Sequence, residues 1–134
     1  MSLESFNGQR GQAIGEAARA YEEIMCKTIS RTIIDDISYF IDKNLHPDLF
    51  IKVYEVAAEK GAGWRYIKAI LNRCVEDLIF TAYDWDWRIR FKKAEAEVRK
   101  ELPFADEPTI VLAVAVKEFK KDLEEIEEVV RGMG

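Results

Sequence analysis

Apolar residues recur along this chain at intervals of three and four, which predicts a succession of amphipathic helices with almost no strand pattern between them. The first is expected from about Ala13 to Lys27, with Ala17, Tyr21, Ile24 and Met25 at helical spacing. A second begins near Ser30 or Thr32 as N-cap and carries Ile33, Ile34, Ile37, Phe40 and Ile41 toward a core. Its period is nearer 3.6 than 2, so the isoleucine-rich run is read as helix. A third starts at His46-Pro47, where proline suits the first helical position because its missing N–H has no helical partner there. The Gly61-Ala62-Gly63 breaker ends it, and a fourth helix follows from Trp64 with Tyr66, Ile67, Ile70, Leu71 and Cys74. Thr81 with Asp84 three residues on has the form of a capping box and opens a fifth helix that runs to about Leu102. Pro103 and Pro108 bracket a short turn, and a sixth helix extends from about Thr109 to Arg131 before Gly132. The fold class expected is all-α, a compact multi-helix domain with a long C-terminal helix.

That last helix places Leu112, Val116, Phe119, Leu123, Ile126 and Val130 at alternating spacings of four and three, a heptad seam with charged residues on its other faces. Two outcomes are open. The seam packs on the domain's own core, or it meets a second copy and makes an oligomer. Residues 1–12 are polar, contain Gly8 and Gly11, and are expected to form a flexible N-terminal tail. The domain reading is therefore a tail over 1–12, a helical domain over 13–102, and a C-terminal helix over 103–134.

With 134 residues, 49% hydrophobic and 34% charged, the chain has the balance of a globular protein with a single core. Cys26 and Cys74 are not spaced as a metal-binding or redox pair, so both read as buried small hydrophobes in a cytoplasmic protein. No secretory signal is visible, and the longest apolar stretch, Ile110 to Val116, is too short to cross a bilayer, so no membrane insertion is expected. A net charge of −5 does not advertise a nucleic-acid binder. Charge is uneven, however: Arg88, Arg90, Lys92, Lys93, Arg99 and Lys100 against Glu95 and Glu97 give 6 − 2 = +4, and acidic residues crowd the stretch from Asp122 to Glu128.

Residues suited to catalysis are scarce. The single histidine, His46, sits at a helix entry with no nucleophile or carboxylate placed in sequence to partner it. Gly61-Ala62-Gly63 has neither the length nor the lysine of a phosphate loop. The pairs Asp35-Asp36 and Asp84/Asp86 hold enough charge for a cation, but neighbouring residues on a helix point in different directions, which suits polar faces and caps. No catalytic residue, cofactor or metal site is expected, and the chain is read as a non-enzyme.

The stretch from His46 to Asp86 is the most informative. It reads His46-Pro47-Asp48-Leu49-Phe50-Ile51, Val56-Ala57-Ala58, Trp64-Arg65-Tyr66-Ile67 with Ile70-Leu71, and Ile79 with Thr81 and Asp84, preceded by Tyr21-Glu22 in the first helix. Over roughly residues 17 to 86 this resembles the DnaD-like domain shared by primosomal DnaD proteins and the DnaB-type replication initiation and membrane attachment proteins of Gram-positive bacteria. The resemblance implies a helical module that helps load the replicative helicase, binds DNA, single strands included, and self-associates. The family's fourth helix carries tyrosine, isoleucine and tryptophan at successive four-residue steps. Tyr66 and Ile70 match, whereas Cys74 stands at the tryptophan position and Leu78 where a glycine is usual. Full-length relatives often carry a winged-helix domain ahead of the module, and none fits here. A fragment, a minimal relative and a divergent phage or mobile-element protein are the readings this leaves.

Tyr66, Lys68 and Arg73 on the fourth helix are the first candidates for contacting DNA. The fifth helix supplies more, since Trp85 and Trp87 precede Arg88, Arg90, Lys92 and Lys93. A sequence-tolerant single-strand groove uses aromatic rings to stack bases and cations to follow the backbone. Alternation through Trp85, Trp87, Ile89 and Phe91 spreads apolar groups around a helix, so at least one tryptophan is expected at the surface or an interface. The functional expectation is a replication-initiation accessory protein that binds DNA, single strands preferentially, and scaffolds a replicative helicase or loader. The alternative is an oligomerising interaction module without DNA binding.

Overall fold

The computed structural model describes residues 3–133, with side chains described from Gly8 onward. Among the described residues it contains six helices and no strand: α1 (Leu3–Met25), α2 (Arg31–Asp42), α3 (Pro47–Glu59), α4 (Trp64–Glu76), α5 (Ala82–Glu101) and α6 (Glu107–Gly132). The all-α expectation holds, with a long C-terminal helix as anticipated. Within the stretch expected as a tail, α1 runs from Leu3, and residues 1 and 2 lie outside the described residues. The Arg10 guanidinium grips Asp42 at the end of α2 through two hydrogen bonds of 2.7 and 3.0 Å. Local composition around Gly8 and Gly11 gives no sign of this partner 32 residues away.

The expectation of one core is corrected. The chain divides into two compact units, Met1–Trp85 and Asp86–Gly134, and the division falls inside α5, upstream of the turn at Pro103. Each unit has its own buried cluster. In the first, α1 and α3 meet through small residues, Ala17 and Ala20 on α1 and Ala57 on α3, which let large rings pack between them. Tyr54 is wholly buried and donates its hydroxyl to the Ala17 carbonyl at 2.9 Å. Burial pushes its phenol pKa far above the ordinary value, so it stays a donor. Edge-on ring contacts connect Tyr21 to Tyr54 and Trp64, and Phe40 to Phe50, drawing α1, α2, α3 and α4 together.

Helices α2, α3 and α4 end alike. A left-handed residue follows each C-cap: Asn44 (φ 71°), Gly61 (φ 64°) and Leu78 (φ 58°). The next amide in each case reaches back to a carbonyl of the last turn: Leu45 to Phe40 at 3.1 Å, Ala62 to Ala57 at 2.9 Å and Ile79 to Cys74 at 2.9 Å. Leu45 and Ile79 are thereby turned into the core. At the next helix start, the Asp84 carboxylate accepts from the amides of Phe80 and Thr81, while the Asp84 amide donates to the Thr81 hydroxyl, which is the reciprocal capping box the sequence announces. These backbone donors hold the Asp84 carboxyl below its ordinary pKa. Cys74 is buried, which pushes its thiol up to about 11. Cys26 is a correction: it lies exposed just past α1 with φ 54°, because the helix stops one residue before it.

The second unit is a pairing of α5 with α6. Ala94 and Val98 pack with Ile110 and Val114, flanked by Phe91, Ala105 and Ala113. Among them lies Glu118, only 2% exposed. Arg90 meets it with Nε on the carboxylate and with Nη2 on its backbone carbonyl at 3.2 Å, and reaches Asp122 at 2.8 Å. The heptad seam of α6 does not pack here. Leu112, Val116, Phe119, Leu123, Ile126 and Val130 are 43–66% exposed, because Ile110, Val114 and Glu118 on another face of the helix meet α5 instead.

Three substitutions test this account. Tyr54→Phe should cost about 1 kcal/mol in chemical unfolding, the worth of one buried hydrogen bond. Leu78→Gly should raise stability by about 0.5–1 kcal/mol, since glycine accepts the left-handed turn without strain and the leucine side chain is 70% exposed. Arg90→Met should destabilise the α5–α6 pair by about 2 kcal/mol, read as faster amide hydrogen exchange in α6, because it leaves the buried Glu118 carboxylate with Lys121 as its remaining cation. Adding Glu118→Leu to that variant should recover most of the loss.

Candidate nucleic-acid interface

The sequence-predicted contact residues fall in both units. Tyr66, Lys68, Arg73 and Trp85 belong to the first, and Trp87, Arg88, Arg90, Lys92 and Lys93 to the second. On α4 the inward stripe is Ile67, Leu71 and Cys74, all buried, with Ile70 partly buried beside it. Tyr66 is half-buried at the edge of this stripe, with the Lys60 ammonium 5.6 Å from its ring centroid. Lys68 is exposed but paired with Asp36 at 3.3 Å, and the same carboxylate accepts the Trp64 indole N–H at 2.8 Å. Arg73 is exposed. Asp36 is thus a structural acceptor tying α2 to α4, and Asp35 pairs with Arg31 one turn away at 3.7 Å.

Position 74, where the family resemblance places tryptophan, faces the core at 1% exposure. An aromatic there would fill space inside the first unit, so its absence removes no surface platform for a base. Position 78, where a glycine is usual, is left-handed, which accounts for that preference physically.

On α5 Tyr83 is 69% exposed, whereas Trp85, Trp87 and Phe91 are partly buried. Trp85 packs partly buried against the core of the first unit. Trp87 is half-buried, its ring 6.3 Å from that of Phe91 and covered by the Arg90 guanidinium at 4.8 Å. Both tryptophans are partly exposed, and Trp87 shares a helical stripe with Phe91, Ala94 and Val98. Arg90 is held by Glu118 and Asp122, which removes it from the set of cations ready to meet phosphate. Arg99 is likewise held by Glu95 and Glu107, at 2.7 and 2.9 Å.

Arg88, Ile89, Lys92, Lys93 and Lys100 of α5 are exposed, as are Tyr83 and the acidic Asp86, Glu97 and Glu101. At 100° per residue these basic residues and Ile89 lie on the flank and face of the helix turned away from Ala94 and Val98. The arrangement is a short basic strip with Ile89 inside it, suited to following a phosphate backbone. No group of three or more potential metal ligands occurs among the described residues, and no described helix is long and apolar enough to cross a membrane. His46 is exposed, caps α3 through its backbone without a side-chain hydrogen bond, and donates its amide to the Phe80 carbonyl at 2.8 Å.

No curated protein and no solved structure matches the chain. A family model does match, over residues 18–86, and its description is replication initiation and membrane attachment. The matched segment falls almost wholly within the first compact unit, leaving the first part of α1, most of α5 and the whole of α6 outside it. With the left-handed position 78, the buried aromatic network and a match over half its length, the chain belongs to the DnaD-like replication initiation and membrane attachment family.

Proposed function

We propose that this protein is a DNA replication initiation accessory factor that binds DNA and scaffolds the loading of a replicative helicase, without covalent chemistry of its own. Family membership supports the replication role. The observation that carries DNA binding is the outward strip of α5, where Arg88, Lys92 and Lys93 are exposed on an otherwise acidic protein. Cations on such a strip displace counterions from phosphates, a driving force that needs no base recognition. The committed Trp87 and Trp85 shift the reading from base stacking toward backbone contact. Single strands remain the proposed ligand, and Tyr66 with Arg73 on α4 is a second proposed contact region. A helicase or its loader is the proposed protein partner.

A second reading, an interaction module without DNA binding, is favoured by the exposed apolar seam on α6. Salt-dependent affinity separates the two. Fluorescence anisotropy with labelled single- and double-stranded oligonucleotides should show binding that weakens as salt rises. For single strands, Lys92→Glu with Lys93→Glu should reduce the slope of log K against log salt by about 1.4, or about 0.7 for each phosphate no longer neutralised. Absence of binding by the unmodified protein at low salt would leave only the interaction module.

A further inference from the structure

The α6 seam lies outside the matched family segment, and its chemistry identifies what covers it. Seven apolar side chains form it, from Leu112 to Met133 at steps of four and three, and all are exposed. Leu123 to Met133 is exposed at every position around the helix, so α5 does not cover this part of the stripe. A surface helix with such a stripe and no packing partner is marginal in water and gains by burying it.

The charges beside the seam select the occupant. In the heptad frame Val116, Leu123 and Val130 take the a position and Leu112, Phe119, Ile126 and Met133 the d position. The flanking e positions are then Ala113, Lys120 and Glu127, and the g positions Ala115, Asp122 and Val129. A parallel pairing sets Asp122 of each helix against Glu127 of the other, two like-charge contacts. An antiparallel pairing brings e against e and g against g. In the register where Leu123 meets Ile126 of the other helix, Lys120 faces Glu127 twice and Asp122 faces Val129. Shifting that register by a heptad sets Lys120 against Lys120 or Glu127 against Glu127. The helix as a whole is self-complementary in the same sense, with Lys117, Lys120 and Lys121 in one segment and Asp122, Glu124, Glu125, Glu127 and Glu128 in the next.

Other ionic groups near α5 are already committed: Lys117 to Glu97 and Glu101, Lys121 to Glu118, and Asp122 to Arg90. Lys120 is exposed, and Glu127 has a long contact of 3.9 Å with Arg131. The chosen register also brings Met133 of the second copy to Val116. There an apolar groove floored by Val98, Leu102 and Ala113 opens between α5 and α6, and an unbranched thioether can adapt to its shape.

We propose that a second copy of this chain covers the seam, through antiparallel α6–α6 pairing with Leu123 against Ile126 and reciprocal Lys120–Glu127 contacts. The proposal stands independently of DNA binding.

The test is sedimentation equilibrium of the full chain across concentrations, with helix content followed by circular dichroism. A dimer is expected. Lys120→Glu and Glu127→Lys, both on exposed positions, should each weaken it about tenfold, since two attractive contacts become two repulsive ones. Mixing the two variants in equal amounts should restore association, because only the antiparallel mixed pair makes both contacts opposite in sign. A chain that stays monomeric, whether the seam lies bare or covered by its own first unit, overturns the proposal. So does a dimer indifferent to both substitutions, or one that mixing does not rescue, since a parallel pair or a different face would then be in use.

Discussion

The first unit depends on satisfying one buried phenol. Tyr54 is completely enclosed, and a hydroxyl in that position must find an acceptor or cost about 1–3 kcal/mol. Its acceptor is the Ala17 carbonyl, within reach because alanines line the surfaces where α1 and α3 meet. That one hydrogen bond fixes the position of α1 along α3. From there the ring contacts through Tyr21, Phe50 and Trp64 carry the arrangement to α4. Small residues and large rings are thus two halves of one solution.

The second unit is organised around charge. Two helices share a narrow apolar stripe, and a carboxylate sits within it, which is tolerable because Arg90 turns inward to meet it and Lys121 pairs with it as well. This choice divides the basic residues of α5. Arg90 and Arg99 hold the unit together, while Arg88, Lys92 and Lys93 are exposed. The positive balance of the segment is real in sequence, but part of it is held in ion pairs within the unit.

The departures from the family pattern acquire meaning in the same way. Cys74 and Leu78 sit four residues apart at one helix end, yet they answer to different constraints. Position 74 is a matter of filling the core, where a thiol occupies less space than an indole. Position 78 is a matter of backbone conformation, where leucine accepts a left-handed φ because the turn it makes delivers Ile79 to the interior. The change at position 74 stays inside the core, whereas the change at position 78 puts an exposed leucine side chain on the surface.

Local signals were legible from the sequence. Ser30, Pro47, Gly61, Thr81 with Asp84, and Pro103 marked helix limits because caps, prolines and glycines act on backbone groups within a few residues of themselves. The inward faces of α2 and α4 followed from their 3.6-residue period, and the DnaD-like identity from side chains whose spacing survives in one dimension. Tertiary structure decided what depends on partners distant in sequence. The Arg10–Asp42 pair accompanies an α1 longer than composition suggested, and Glu118 drew Arg90 out of the candidate interface. Trp85 and Trp87 went to separate units, a division that no periodicity announces. The seam on α6 shows the boundary best. Its heptad spacing was plain in the sequence, because periodicity is local, but whether it faced a core or solvent rested on which stripe of α6 met α5.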